Sequence, residues 1–517
     1  MTNLDSYKYR IKLRKSLSIR TLLIVLIFLY IVAILIGSLS LLLDSNPLFD
    51  ELTLLLSLGI GLLLLFAVKF SRKYLFNQIA TITFFFLIFI LPRIITYLFA
   101  PAVVIWPFGY GIDASTINAG LLYVLIGTMF FIIGMAIADI VFRPSLPLSS
   151  AASGDPSCYS TRALITLFLV VAAIQLYASI IMEISPYGKM RAESYNTLFQ
   201  FIKTSLELDS AFFFVFATLL FRSKIVNKSE RGAVILVLLC YIFVTALCGS
   251  RVGVLRVVTA LMIIPIVIQG NFRLKLGKFL TAILLLGGLS LAIFPFATMS
   301  RLVITASHRD NPYAYEYAIA ESKDLKMYGN LSARVLNRLA VLDYPILIVT
   351  QEGDPEAKEK YINLLYPTKN IINMLMPGNP FPEAKIMTSR VVDVIYRGTN
   401  EPNMYSRYFS EYWTLWGLAY VLFDWLGGLL AILFIGFIIH SLYVLIIMLF
   451  SGTYQFYLRL WLLLYVTLGV IGNMGFDSAF TTLLFGLLQF VTLYFCLSLI
   501  VLFHRSFSSF LRQAVKA

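Results

Sequence analysis

The chain has 517 residues, of which 59% are hydrophobic and only 13% charged. Soluble domains run near roughly 45–50% apolar and about 25% charged, so this excess needs lipid around it, and a soluble multidomain enzyme is excluded. The net charge of +14 raises the idea of a nucleic-acid partner, but the basic residues cluster in short segments between apolar runs. That is a topogenic pattern, and no nucleic-acid binding is expected.

In chain order, a basic stretch from Lys8 to Arg20 leads into an apolar run at 21–43. The run is longer than the core of a secretory signal and lacks a small-residue cleavage site, so it is expected to stay as a signal anchor. Further runs follow at 51–69, 76–100, 116–141, 163–183, 204–222, 232–249, 252–270, 279–298, 412–449, 455–473 and 479–503. A helix rises 1.5 Å per residue across a hydrocarbon core of ~30 Å, so the pattern predicts an all-α polytopic membrane protein with about 12 transmembrane helices. Run 412–449 is too long for one simple crossing. A break is expected near Asp424, Gly427 and Gly428, with an oblique or interfacial first half. Residues 1–298 thus read as an N-terminal membrane bundle, 299–411 as one large loop, and 412–517 as a C-terminal set of membrane helices.

Charge bias sets the orientation, because short cytoplasmic loops keep Lys and Arg while translocated ones are depleted. The N-terminus and alternate connecting segments, with the C-terminus, hold 22 basic residues, among them Lys69, Arg72, Arg222, Arg231, Arg273 and Arg512. The short segments of the opposite face hold Lys189, Arg191 and Lys203. An N-in, C-in topology follows, with 299–411 outside. Within that loop 13 Lys/Arg meet 13 Asp/Glu, so any anion site there depends on local clustering rather than a long-range field. The four cysteines and three histidines are scattered, without the spacing of a metal site, and no metal or other cofactor is expected.

Three arginines lie in or beside apolar runs with no topogenic role: Arg93, Arg251 and Arg256. An ionisable group in a membrane should face protein or a wet cavity and have a partner. Arg93, next to Pro92, reads as a structural ion pair or as a side chain snorkelling outward. Gly249-Ser250-Arg251 forms an outward turn between two runs, with Arg256 a little over one helical turn deeper. It reads either as a phosphate cradle of exposed N–H groups and a guanidinium or as a simple turn with a snorkelling arginine. In run 204–222 only 211–221 is continuously apolar, so Glu207 and Asp209 are drawn into the membrane's outer zone. Lys203, four residues before Glu207, suits a structural pair; a catalytic or proton-carrying acid is the other reading for Glu207 and Asp209.

The loop is too long for a connector. Leu331, Val335, Leu339 and Leu342 mark an amphipathic helix over 331–344, with Pro345 near its end. On it Arg334 and Arg338 share a face, which calls for an anion: Asp343, Asp393 or a substrate phosphate. Arg301, Arg309, Arg390, Arg397 and Arg407 complete seven loop arginines, and the planar guanidinium suits phosphate oxygens, although any single one of them can be simple surface charge. Pro377–Pro382 predicts an ordered turn. Arg407 and Glu411 then stand among Tyr405, Tyr408, Phe409, Tyr412, Trp413 and Trp416, which read first as an interfacial belt and second as a sugar-stacking surface. His308 is a candidate general base or a solvated loop histidine.

Taken together, these features resemble the O-antigen polymerase family, the Wzy-type oligosaccharide repeat-unit polymerases. The residues carrying the resemblance are Gly249-Ser250-Arg251 at a mid-chain outward turn, the arginine-rich late loop, and Ser410-Glu411-Tyr412-Trp413-Thr414-Leu415-Trp416-Gly417 opening the next helix. The resemblance implies a GT-C-like, metal-independent glycosyltransferase of the bacterial inner membrane. Its donor and acceptor would be undecaprenyl-diphosphate-linked glycans, and it would work beside a polysaccharide co-polymerase that sets chain length. A diphosphate leaving group gains charge as the glycosidic bond breaks, so pre-placed guanidinium groups stabilise the transition state. Arg251 is the first candidate for that role, then Arg338 and Arg301, with Glu411 orienting an arginine or taking a hydroxyl proton. Arg256, Arg334, Arg390, Arg407, Tyr412 and Trp413 are candidates for substrate binding. An O-antigen ligase and a polysaccharide flippase are the rival readings.

Overall fold

The structure, a computed structural model, describes residues 16–41, 46–101, 104, 112–142, 159–181, 206–223, 228–248, 263, 274–275, 341–351, 353, 355–356, 368–369, 372, 380–381, 414–450, 452–472 and 476–514. The described chain is helical apart from one two-residue antiparallel pairing, in which Ser16 and Leu17 (β1) meet Lys275 and Leu274 (β2). Among the described residues nine helices are long and apolar enough to cross a membrane. They coincide with the expected runs, with two exceptions. Run 204–222 contains only the shorter apolar helix Leu208–Leu220, and runs 252–270 and 279–298 lie essentially outside the described residues.

The first helices form an antiparallel bundle: α1 (Ile19–Leu41), α2 (Glu51–Phe70), α3 (Lys73–Phe85) continued by α4 (Leu91–Phe99), and α5 (Ala114–Val141). Their ends are fixed by local chemistry. Asp50 caps α2 through a reciprocal box with Thr53, and Asn118 of α5 donates both amide hydrogens to the same carboxylate at 3.0 and 2.9 Å, tying two helix starts together. Asp113 caps α5; the Thr116 amide, with the Thr116 and Ser115 hydroxyls, holds its carboxyl down at about 2. At the other end Arg20 donates to the Ser71 carbonyl at 2.7 Å, so Arg20, Lys69 and Arg72 mark one basic end of the bundle. A π turn at Phe86–Ile90 separates α3 from α4. It precedes Pro92, which lacks an N–H and fits only the first turn of a new helix.

The second group contains α6 (Thr161–Leu176), α7 (Leu208–Ser223) and α8 (Lys228–Leu247). It is completed by α11 (Gly452–Trp461), α12 (Leu468–Gly472) and α13 (Phe476–Ala514). Between α8 and α11 in sequence stand α9 (Asp343–Thr350) and α10 (Thr414–Leu449). Pro345 lies in the first turn of α9, so this helix starts where the sequence pattern placed a helix end; residues 331–340 are outside the described chain. Helix α9 is not a surface element: Ile346, Leu347 and Ile348 have no exposure. A methyl group placed on Gly120 of α5 would lie 2.5 Å from the Ile346 Cα, so only glycine lets the two backbones approach this closely.

The break in α10 occurs at Asp424, which adopts φ 58°, ψ −165°. It is a reversal rather than a bend. In a straight helix residues 416 and 432 would stand ~24 Å apart, yet Trp416 and Ile432 both reach the Gly127 Cβ position, at 2.6 and 3.2 Å. Segment 414–423 therefore folds back along segment 425–449 as a helical hairpin. The first half is enclosed by protein: Leu415, Trp416, Leu418 and Ala419 are at most 3% exposed. Its residues are small or apolar on all sides, as a helix enclosed by protein requires.

Candidate functional site

Three polar clusters sit inside this apolar frame. In the first, Arg93 of α4 donates from Nε to Asp343 Oδ1 at 2.8 Å and pairs through Nη2 with Oδ2. Tyr97, one turn further on, donates its hydroxyl to Oδ1 at 2.6 Å. Asp343 has no exposure and Arg93 has 6%. Of the two readings of Arg93, the structure shows the buried ion pair, with a partner 250 positions away. A bidentate guanidinium with an added tyrosine hydroxyl satisfies a buried carboxylate, which a lone ammonium would not. Asp343 is thereby committed to Arg93 and Tyr97 rather than to Arg334 or Arg338. The pair pins α9 into the bundle.

The second cluster lies at the start of α7. Gln489 of α13 donates from Nε2 to Glu207 Oε2 at 2.9 Å and accepts from the Ser210 hydroxyl. Tyr241 of α8 donates to Asp209 Oδ1 at 2.6 Å, while its ring stacks on Phe212 at 4.0 Å. Glu207 is half-buried. Lys203 lies outside the described residues, and the described partner of Glu207 is a neutral amide. Tyr457 on α11, fully buried, stands with its hydroxyl beside Ser210.

The third cluster is toward the basic end. His440 of α10, without exposure, bonds through Nδ1 to Gln78 Oε1 at 2.5 Å and through Nε2 to Asp139 Oδ1 at 3.2 Å. Gln78 spends its N–H on the Ile439 carbonyl at 3.2 Å, which orients its oxygen toward the ring and makes Nδ1 the donor. Asn77 and Arg459 both donate to the Tyr443 hydroxyl, at 2.6 and 2.9 Å. Together these bonds lock α3, α5, α10 and α11.

The candidate site residues Arg251, Arg256, Arg301, Arg334, Arg338, Arg390, Arg407, Glu411, Tyr412 and Trp413 lie outside the described residues, as do His308, Arg309 and Arg397. What the structure does give is the ground they are attached to. Segment 414–423, directly after Glu411-Tyr412-Trp413, packs on α9: the Cβ position of Gly417 is 2.7 Å from Ile348 Cδ1 and 3.7 Å from the Pro345 Cα. Trp416, grouped in the sequence with an interfacial or sugar-stacking surface, is core. It is 1% exposed and packs on Phe86 and Phe85 at 5.5 and 6.5 Å.

Sequence reasoning missed Gln489 and Gln78. The available signal was a polar amide within an apolar run, which needs a partner as much as a charge does. No family model matches the chain, and no curated protein or solved structure matches it either.

Proposed function

We propose that this chain polymerises undecaprenyl-diphosphate-linked oligosaccharide repeat units into a surface polysaccharide. In this reading it is a bacterial inner-membrane protein of about 12 spans, N-in and C-in, with 299–411 on the periplasmic face. The polymer on its lipid diphosphate is the donor. The terminal sugar hydroxyl of a new unit attacks the donor's anomeric carbon, and undecaprenyl diphosphate departs.

The observation that carries this reading is the docking of α9 against segment 414–423 inside the bundle. Five residues separate Arg338 from Asp343, a reach of at most ~18 Å, and three separate Glu411 from Thr414, at most ~11 Å. Two groups of candidates far apart in sequence thus adjoin, along the chain, two segments that pack together beside α4 and α5, and this supports the reading. Arginines held there meet the requirement of the chemistry: charge that develops on a diphosphate in a water-poor setting is stabilised by fixed guanidinium groups. Arg251 is assigned the leading role, with Arg338 and Arg301 beside it.

The test is direct. Purified protein incubated with a lipid-linked repeat unit is expected to build a ladder of lengths, and Arg251→Ala and Arg251→Lys are expected to abolish the ladder while protein level stays unchanged. Transfer of the glycan to a lipid A core without growth identifies a ligase instead, and movement across vesicles without growth identifies a flippase. Full-length chains from Arg251→Ala would remove that residue from the site.

A further inference from the structure

The reversal in α10 puts a carboxylate on the outside of the bundle. Asp424 is exposed, and among the described residues no basic side chain pairs with it. It stands sixteen residues before His440, or ~24 Å along the helix, and His440 bonds to Asp139 near the basic end. Across a hydrocarbon core of ~30 Å, that places Asp424 near the opposite boundary, at the level of lipid headgroups. An ionised carboxylate on a lipid-facing surface calls for a cationic partner.

Aromatic rings flank the acid. The Tyr420 hydroxyl stands near Asp424, and the rings of Tyr420 and Trp425 meet that of Tyr123 on α5 at centroid distances of 5.4 and 5.0 Å. Trp425 is exposed and Tyr420 half-buried. A ring face attracts cations through its negative quadrupole, that of Trp most strongly, so the acid and the rings favour a ligand of the same sign.

Behind these rings is a polar group in need of a partner. Tyr123 has no exposure, and among the described residues its hydroxyl has no hydrogen-bond partner. It occupies the crook between the two limbs of α10: a methyl group on Gly428 would collide with it and would lie 2.9 Å from the Ala419 carbonyl oxygen. Leaving a buried hydroxyl unpaired is costly, and a polar ligand that displaces Tyr420 or Trp425 would reach it.

From the acid toward the basic end, Leu426, Leu430 and Phe434 follow at four-residue spacing, each more than half exposed. They form an apolar track along one side of the second limb. We propose that this face holds a membrane lipid with an ammonium headgroup, of the phosphatidylethanolamine class. The ammonium lies against Asp424 and the rings of Tyr420 and Trp425, and an acyl chain follows Leu426, Leu430 and Phe434. An interfacial belt would supply the rings alone; the exposed acid among them selects the ammonium. Binding of this lipid does not depend on the reaction that the chain carries out.

Thermal unfolding of the delipidated full chain in detergent tests the site, with dioleoyl phosphatidylethanolamine or dioleoyl phosphatidylglycerol added. The two lipids share their acyl chains and phosphate and differ in the ammonium. Phosphatidylethanolamine is expected to raise the Tm by about 2–4 °C over detergent alone, and phosphatidylglycerol to leave it nearly unchanged. Asp424→Asn keeps the size of the side chain and its tolerance of positive φ, and Trp425→Leu keeps an apolar surface toward lipid. Both are expected to lose the rise given by phosphatidylethanolamine. A merely structural role for either residue would lower the Tm and leave the response to the two lipids as it was. Equal shifts from the two lipids in the wild-type protein overturn the site, as does a phosphatidylethanolamine rise that survives in either variant. If Asp424→Asn does not fold, Trp425→Leu decides alone.

Discussion

Arg93 shows how a single charge organises its surroundings. A guanidinium in an apolar helix has to be solvated by something, and here Asp343 binds it while Tyr97 donates to the same carboxylate. Such a pair adds little net stability over apolar residues of equal volume, because desolvation offsets the attraction, but removing one partner strands the other. Arg93→Ala and Asp343→Ala are each expected to cost about 3–5 kcal/mol. The double replacement Arg93→Leu with Asp343→Leu should recover most of that loss. Thermal unfolding in detergent checks this; a double loss equal to the sum of the two single losses would mean that the residues act separately. His440 follows the same logic, since its two ring nitrogens bring together α3 and α5, elements that the sequence pattern treats as unrelated spans.

The element that departs furthest from its expected form is α10. Its composition predicts a break at Asp424, Gly427 and Gly428, and the break is there. What hydropathy does not report is the sense of the break, because a buried half-helix and a lipid-facing one are equally apolar. The backbone at Asp424, φ 58° and ψ −165°, falls in a region that is essentially glycine-only and costs on the order of 1–3 kcal/mol for other residues. Asp424→Gly is therefore expected to be neutral or to raise the Tm, and Asp424→Val to lower it. The opposite order would show that the reversal lies elsewhere.

For the whole molecule, the consequence is that α9 and segment 414–423 are both enclosed within the bundle. Gly120 tests the anchoring. Its Cβ position lies 2.5 Å from the Ile346 Cα, so Gly120→Ala should force the two backbones apart, at a cost of about 1–3 kcal/mol, and lower the Tm in detergent. An unchanged Tm would place α9 elsewhere.

The sequence by itself determined that the chain is a helical membrane protein, where most crossings begin and end, that Arg93 needed a partner, and that 412–449 could not be one straight helix. These properties follow from local quantities: run length, the position of charges and the placement of Pro and Gly. Only the tertiary structure decided which anion Arg93 takes, that Trp416 is core and not belt, that Glu207 is held by Gln489 of the last helix, and that 414–423 turns back into the bundle. Each of these depends on residues tens to hundreds of positions apart meeting through helix packing. Apolar periodicity does not encode that choice, because an apolar face is equally satisfied by lipid and by another helix.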